Sequence, residues 1–237
     1  MIGIYYCITR RAPLSMKRGW HIVAILVVRQ EFPLPCRTLQ TVRPTLNYKE
    51  ACAMNDIQLT ETFLSGEVVF PGKIIRLEHW QVALPNGEKA LREVACHPGA
   101  SAVVAIDDEG QIILVRQHRI AVGRLTLEIP AGKLDSADED PFLCAQRELS
   151  EETGMTASHW QKLTVLETTP GFCNERIHLY LATGLSQHES HPDEDEFVSV
   201  SRMPLKDAVA RVMDGTFRDG KTALGIMMAA AAKGVSA

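Results

Sequence analysis

Apolar positions follow two rhythms along the chain, and the change between them marks its organisation. From Ser65 onward, Glu67–Phe70, Lys73–Leu84 and Glu88–Val94 are rich in Val, Ile and Leu, with Pro85-Asn86-Gly87 as a hairpin signal between the last two. They predict a small antiparallel sheet of about three strands, too thin to be stable alone, which has to pack on the main domain or on another subunit. Ala102–Ile106 and Ile112–Arg116, around Asp107-Asp108-Glu109-Gly110, predict a second hairpin; Leu125–Ile129 and Ile177–Ala182 predict further strands. Near residue 141 the period becomes helical. Phe142, Ala145 and Leu149 recur at i, i+3 and i+7 behind Asp140 as N-cap and Pro141 at the first position, and Gly154 follows as a stop. A helix of about 13 residues is expected there. Pro204–Asp214 and Lys221–Lys233 predict two closing helices, and the apolar run Ala223–Ala232 within the second is too short to cross a bilayer. Strands mixed with a few helices argue for an α/β layered core. No internal repeat or low-complexity tract appears.

Composition adds a boundary. The chain has 237 residues, 46% hydrophobic and 23% charged, enough for one good core and a small second unit. Residues 1–53 hold eight Lys/Arg against two acids, a charge of +6, which leaves −10 on the other 184. The apolar run His21–Val28 is short for a secretory signal, and Ser15 is the lone serine of an Arg-rich leader, which argues against organellar targeting. The expectation is a poorly folding basic extension over 1–53, from a start assigned too early, with Met54 opening the functional chain. A small β subdomain over 54–97 and a catalytic domain over 98–237 complete the division. Cysteines at 7, 36, 52, 96, 144 and 173 form no CxxC pair, which favours reduced thiols and a cytosolic setting.

The chemistry concentrates on the helix after Asp140. Glu148 and Glu152 are four apart and Glu148 and Glu151 three apart, so their Cβ atoms lie about 5–6 Å from one another on one side, beside Arg147. Like charges at that spacing repel, more so where the helix side is sheltered, and a divalent cation reverses the sign. Carboxylate oxygens suit Mg²⁺ or Mn²⁺, and no Cys/His set of the kind zinc prefers lies nearby. A bare Glu pair at this spacing is ordinarily a solvated helix face.

The wider string changes that reading. Gly132, Glu139 and Arg147-Glu148-Leu149-x-Glu151-Glu152-x-Gly154-Met155 resemble the Nudix box, Gly-x5-Glu-x7-Arg-Glu-U-x-Glu-Glu-x-Gly-U, where U is bulky and aliphatic. Six residues rather than five separate Gly132 from Glu139, so the loop before the helix, near Ser136, carries one extra residue. Arg116-Gln117-His118-Arg119, Glu128-Ile129-Pro130-Ala131-Gly132 and Thr169-Pro170-Gly171-Phe172-Cys173-Asn174-Glu175-Arg176 are similar to the ADP-ribose or nucleoside-diphosphate-sugar pyrophosphatase branch of that family, of which Pro170 is a mark. The likeness runs from about Phe63 to the C-terminus.

The resemblance implies an α/β/α sandwich with a mixed sheet behind a small antiparallel β subdomain that dimerises. It implies Mg-dependent hydrolysis of a diphosphate bridge, giving AMP and ribose 5-phosphate from ADP-ribose, with two or three Mg²⁺ (or Mn²⁺). Glu148 and Glu152 become metal ligands together with the Ala131 carbonyl, and Glu151 a ligand directly or through water. Arg147 and Glu139 become an ion pair holding the loop to the helix. Arg119 is matched to a phosphate contact and Glu175 to a contact with the terminal ribose. In the acidic stretch His191–Glu196, Glu194 is matched to the base that activates water and Glu196 to a further metal ligand. Trp80 could stack a base or serve as a core or interface residue. Two rival readings follow: a silent ADP-ribose sensor, or a hydrolase of another substrate such as ADP-glucose or GDP-mannose. A DNA-binding regulator is disfavoured because the acidic domain carries no basic stripe.

Overall fold

A computed structural model describes residues 59–136, 138–188 and 197–236. The basic extension, Met54 and the acidic stretch with Glu194 and Glu196 lie outside the described residues. Three strands come first: β1 (Thr62–Pro71), β2 (Arg76–Ala83) and β3 (Lys89–Cys96), an antiparallel sheet in the order β1-β2-β3. The turn after β2 holds Gly87 at φ 86, as the Asn-Gly pair predicts. The sheet joins the rest of the chain by backbone bonds from Ala95 N to Phe172 O (2.8 Å) and Asn174 N to Ala95 O (3.2 Å).

The main body has two sheets. One runs β7-β4-β9-β8, from β4 (Ala100–Ala105), β7 (Ala131–Lys133), β8 (Met155–Glu167) and β9 (Arg176–Gln187). The other runs β10-β5-β6, from β5 (Gln111–Arg119), β6 (Arg124–Glu128) and β10 (Ser199–Pro204). β4 and β9 are parallel and the other pairs antiparallel, so the first sheet is mixed. Three helices cover them: α1 (Pro141–Thr153), α2 (Leu205–Met213) and α3 (Gly220–Lys233).

Strand alternation divides the core between two layers. Val103 and Ala105 of β4 face Ala145 and Leu149 of α1, with Tyr180 and Ala182 of β9. Ala102 and Val104 face the other way, with Leu179 and Leu181, toward Val209 of α2 and Ile226 and Ala229 of α3. Helices on both sides of a mixed sheet make the α/β/α sandwich. Among the described residues no helix is long and apolar enough to cross a membrane.

The predicted helix forms over the expected span. Asp140 accepts from Phe142 N at 2.8 Å, and Gly154 at φ 66 donates to Ser150 O at 2.8 Å. The predicted second hairpin is corrected. Ala102–Ile106 and Ile112–Arg116 belong to different sheets and meet only at the isolated bridge Ile106↔Ile112, because β4 is hydrogen-bonded to β7 and β9 while β5 takes β6 and β10. Strands β8 and β10, which the apolar pattern does not announce, are edge strands. In β8 a bulge between Lys162 and Thr164 breaks the period-two rhythm, so Trp160 packs on the α1 side and Leu166, which unbroken alternation would put on the same side, packs on the other.

Leu149 is fully buried and Asp140 caps its helix, so the two contributions separate. Leu149→Ala is expected to cost about 3 kcal/mol and Asp140→Ala about 1 kcal/mol in urea unfolding. Equal losses would contradict this division.

Candidate active site

At Gly132 of β7 the Glu148 carboxylate of α1 lies against the backbone. A Cβ built at Gly132 would sit 2.1 Å from both the Glu148 Cδ and Oε1, so no other residue fits while that carboxylate lies there. Glu152, one turn on, accepts from Ala131 N at 3.0 Å. Glu148 is 6% and Glu152 3% exposed, unusual for carboxylates four residues apart.

Arg147 binds this corner together. It donates to Glu148 at 2.6 Å, Glu151 at 3.0 Å, Lys133 O at 3.2 Å and Glu139 at 3.5 Å. Burial works against its charge, but Glu148 and then Glu151 outweigh that and raise its pKa above the ordinary guanidinium value. Glu139 also accepts from Asp135 N at 2.6 Å, which ties down the loop that carries the extra residue. Cys144, against the Gly132 and Lys133 carbonyls, has its thiol pushed up to about 11 by burial and by Glu148, which leaves it protonated and inert.

A cleft of about 650 Å³ opens beside this corner, lined by Ala131, Gly132, Arg119, Glu128, Glu175 and Lys221 among others. This cleft reaches the β7 backbone on which Glu148 and Glu152 rest. Glu128 holds its cations. Arg119 grips Glu128 with both arms of its guanidinium, at 3.0 and 2.9 Å, Thr126 Oγ1 donates at 2.6 Å, and Lys221 Nζ donates from the other side. Burial would raise the Glu128 pKa, yet Arg119 and Lys221 overcome it and lower it to about 2. Asp219 caps α3, accepting from Thr222 N and Lys221 Nζ, both at 3.0 Å, and Thr222 Oγ1 accepts from Ile129 N at 3.1 Å. The helix start is thus bonded to the end of β6. At the far side of the cleft, His97 Nδ1 accepts from Gly99 N at 3.0 Å and approaches Glu175 at 3.5 Å.

Arg119, Glu175 and Ala131 therefore share one cleft, backed by Glu148 and Glu152. Glu151 and Arg147 stand at its rear as an i, i+4 pair. Pro170 is not among the lining residues: it sits in the turn where Phe172 N and Cys173 N donate to Thr169 O, next to the strand link at Ala95. Trp80 lies on the small sheet, edge-on to Phe63 at 5.3 Å with its Nε1 on Glu78 at 2.6 Å. Sequence reasoning assigned no role to Glu128 or Lys221. The available signal was a lone acid ending the apolar strand Leu125–Ile129.

The donors at the rear are carboxylate oxygens and a backbone carbonyl, the chemistry of a hard divalent ion. Among the described residues no group of three or more His, Cys, Asp or Glu side chains gathers as for a metal. Two carboxylates suffice for Mg²⁺, which keeps waters and takes substrate phosphate oxygens for the remainder. The residues fit such an ion.

Comparison with known proteins agrees with this geometry. Residues 96–222 match the NUDIX domain. The chain is 46% identical over 170 residues to an ADP-ribose pyrophosphatase of Bacillus subtilis (strain 168), covering 71% of this chain and 91% of that protein. It is 41% identical over 168 residues to a methanol dehydrogenase activator of Bacillus methanolicus, covering 70% and 90%. A crystal structure of an ADP compounds hydrolase shares the fold, with a TM-score of 0.63 and 23% identity over 75% of this chain and 97% of that one. The sandwich and its glutamate helix define a phosphoanhydride-type site. The chain belongs to the Nudix family.

Glu128 gives this site a pH signature. A carboxyl lowered from 4.5 to about 2 stabilises the fold above its unfolded value, and that stability is lost as pH falls from about 4.5 toward 2. Glu128→Gln is expected to cost about 2–4 kcal/mol at neutral pH, with the gap to wild type closing over that window in urea unfolding. A gap independent of pH would reject the assignment.

Proposed function

We propose that this chain hydrolyses the diphosphate bridge of ADP-ribose or a related nucleoside-diphosphate sugar, giving AMP and a sugar phosphate. The observation that carries the reading is the buried pair Glu148 and Glu152 at the back of a cleft whose wall holds Arg119 and Lys221. A diphosphate carries negative charge on both phosphoryl groups and repels a nucleophile, so its binding site needs cations on one side and metal donors on the other. This cleft has both.

Glu148, Glu152 and the Ala131 carbonyl would hold Mg²⁺ or Mn²⁺, with Glu151 as a direct or water-linked ligand. When bound, two or three such ions supply positive charge at the phosphate oxygens and a more acidic water. Arg147 keeps the glutamates oriented and Glu139 anchors Arg147. Arg119 and Lys221 offer their free N–H groups to the diphosphate while Glu128 holds them in place. Glu175 contacts the sugar, and Pro170 shapes the turn that presents it. Glu194 takes the proton from the attacking water and Glu196 adds a ligand.

We further infer a homodimer through a subdomain spanning 54–97. Phe63, Val68, Val69 and Phe70 of β1 are between 47% and 58% exposed, a strand of apolar side chains that association would cover.

Glu152→Gln is expected to lower Mg²⁺-dependent turnover by about a hundredfold or more while its thermal midpoint stays near wild type. The assay is a panel of nucleoside-diphosphate sugars with Mg²⁺, scoring released monophosphate. Binding of ADP-ribose without turnover of any member would refute hydrolysis. Glu194→Gln is expected to slow turnover with substrate affinity nearly unchanged; a wild-type rate would move the base to another residue.

A further inference from the structure

A second concavity adjoins the cleft, the two sharing Arg124, Thr126, Arg218 and Asp219 along their common border. Its volume is about 500 Å³, and it runs between the sheet β10-β5-β6 and the turn leading from α2 to α3. The registers Arg116↔Leu127, Ser201↔Leu114 and Met203↔Ile112 put Arg116, Leu127, Ser201 and Met203 on the α2 side of that sheet. Arg124 and Arg202 border the groove too, but alternation sends their side chains to the other face.

Three exposed arginines therefore serve the groove: Arg116 from β5, Arg211 from α2 and Arg218 from the turn. Among the described residues none of the three forms an ion pair with a carboxylate. Arg218 Nε reaches only Gly215 O at 3.3 Å, and Asp214, the acid near Arg211, is engaged by Thr216 N at 2.8 Å. Asp219 at the groove's edge is committed to Lys221 and Thr222. The floor is apolar, with Leu127, Met203 and Phe217, and Ser201 Oγ is buried there without a hydrogen-bond partner. The Ser201 hydroxyl lacks a partner that a ligand can supply, and the guanidinium groups above it, Arg211 with Asp214 nearby, keep N–H groups without a carboxylate bound to them.

We propose that this groove is a binding site for a phosphate monoester with an apolar or flat body, separate from the diphosphate cleft. The phosphate is held by the Arg116 and Arg211 forks and the Ser201 hydroxyl, and the body lies on Met203 and Phe217. Planar guanidinium groups match phosphate oxygens two at a time, and a phosphate monoester has a third terminal oxygen for the Ser201 hydroxyl where a carboxylate has only two oxygens in all. The proposal does not rest on the hydrolase reading.

The test is calorimetric titration of phenyl phosphate into the full chain with a metal chelator present, so that ion-dependent binding at Glu148 and Glu152 is removed. Wild type is expected to bind phenyl phosphate more tightly than inorganic phosphate, and benzoate more weakly than either. Arg116→Gln with Arg211→Gln should weaken phenyl phosphate at least about tenfold, and Ser201→Ala several-fold, in line with loss of hydrogen bonds to a charged group. Circular dichroism checks that the variants are folded; if the double variant is not, Arg211→Gln alone and Ser201→Ala decide. Absence of binding to wild type, or equal affinity in wild type and variants, overturns the proposal. So does an affinity lost on Arg119→Gln and kept in the groove variants, which assigns the ligand to the cleft.

Discussion

The contact between the Gly132 backbone and the Glu148 carboxylate is the constraint on which the site depends. At that distance no side chain separates β7 from α1, so the helix rests with its acidic side against the strand and not turned to water. Two glutamates four residues apart are thereby buried together. Their repulsion is carried by Arg147 and by the Ala131 N–H, and it is a reserve that a divalent ion at those oxygens would draw on. A solvated acidic helix would have no such reserve. The apolar side of the same helix supplies the force that maintains this arrangement, since Ala145 and Leu149 are fully buried against β4 and β9.

The opposite wall solves the reverse problem. Arg119 and Lys221 are like charges from β5 and α3, and Glu128, 93 residues before Lys221, lies between them as a shared counter-ion. Removing Glu128 from water costs free energy, and its low pKa shows that the two cations and Thr126 more than offset that cost. The wall is positive in sum, yet ordered before any anion arrives. Donors fixed in advance lose little entropy on binding, which suits a site that must hold a diphosphate in one orientation.

Helix α1 was legible down to its caps, because Asp140, Pro141 and Gly154 act through local hydrogen bonds and φ preferences that a sequence displays directly. The layered class was legible from the number and type of apolar runs. Pairing was not: Ile106 and Ile112 flank a good turn, but their strands find better partners far away in sequence. Strand β8 escaped notice because its bulge switches which layer the side chains face. At the site, the box residues were legible from spacing. Glu128 and Lys221 were not, since their meaning lies in a contact between β6 and α3 that no local pattern announces.

Strand β6 explains why two anion-facing surfaces coexist so closely. Arg124, Thr126 and Glu128 point into the diphosphate cleft, while Leu125 and Leu127 alternate toward the arginine groove. A slip of one residue in the β5–β6 pairing would exchange these sets, placing Glu128 among the apolar residues of α2 and α3 and leaving Arg119 without its carboxylate. Burying an unpaired carboxylate is far more costly than misplacing a leucine, so the ion network specifies register as much as it serves the cleft. The Ile129 N–H bond to Thr222 locks the same register from the next residue on. The charge arrangement of the cleft and the apolar floor of the groove are thus both consequences of a single strand alignment.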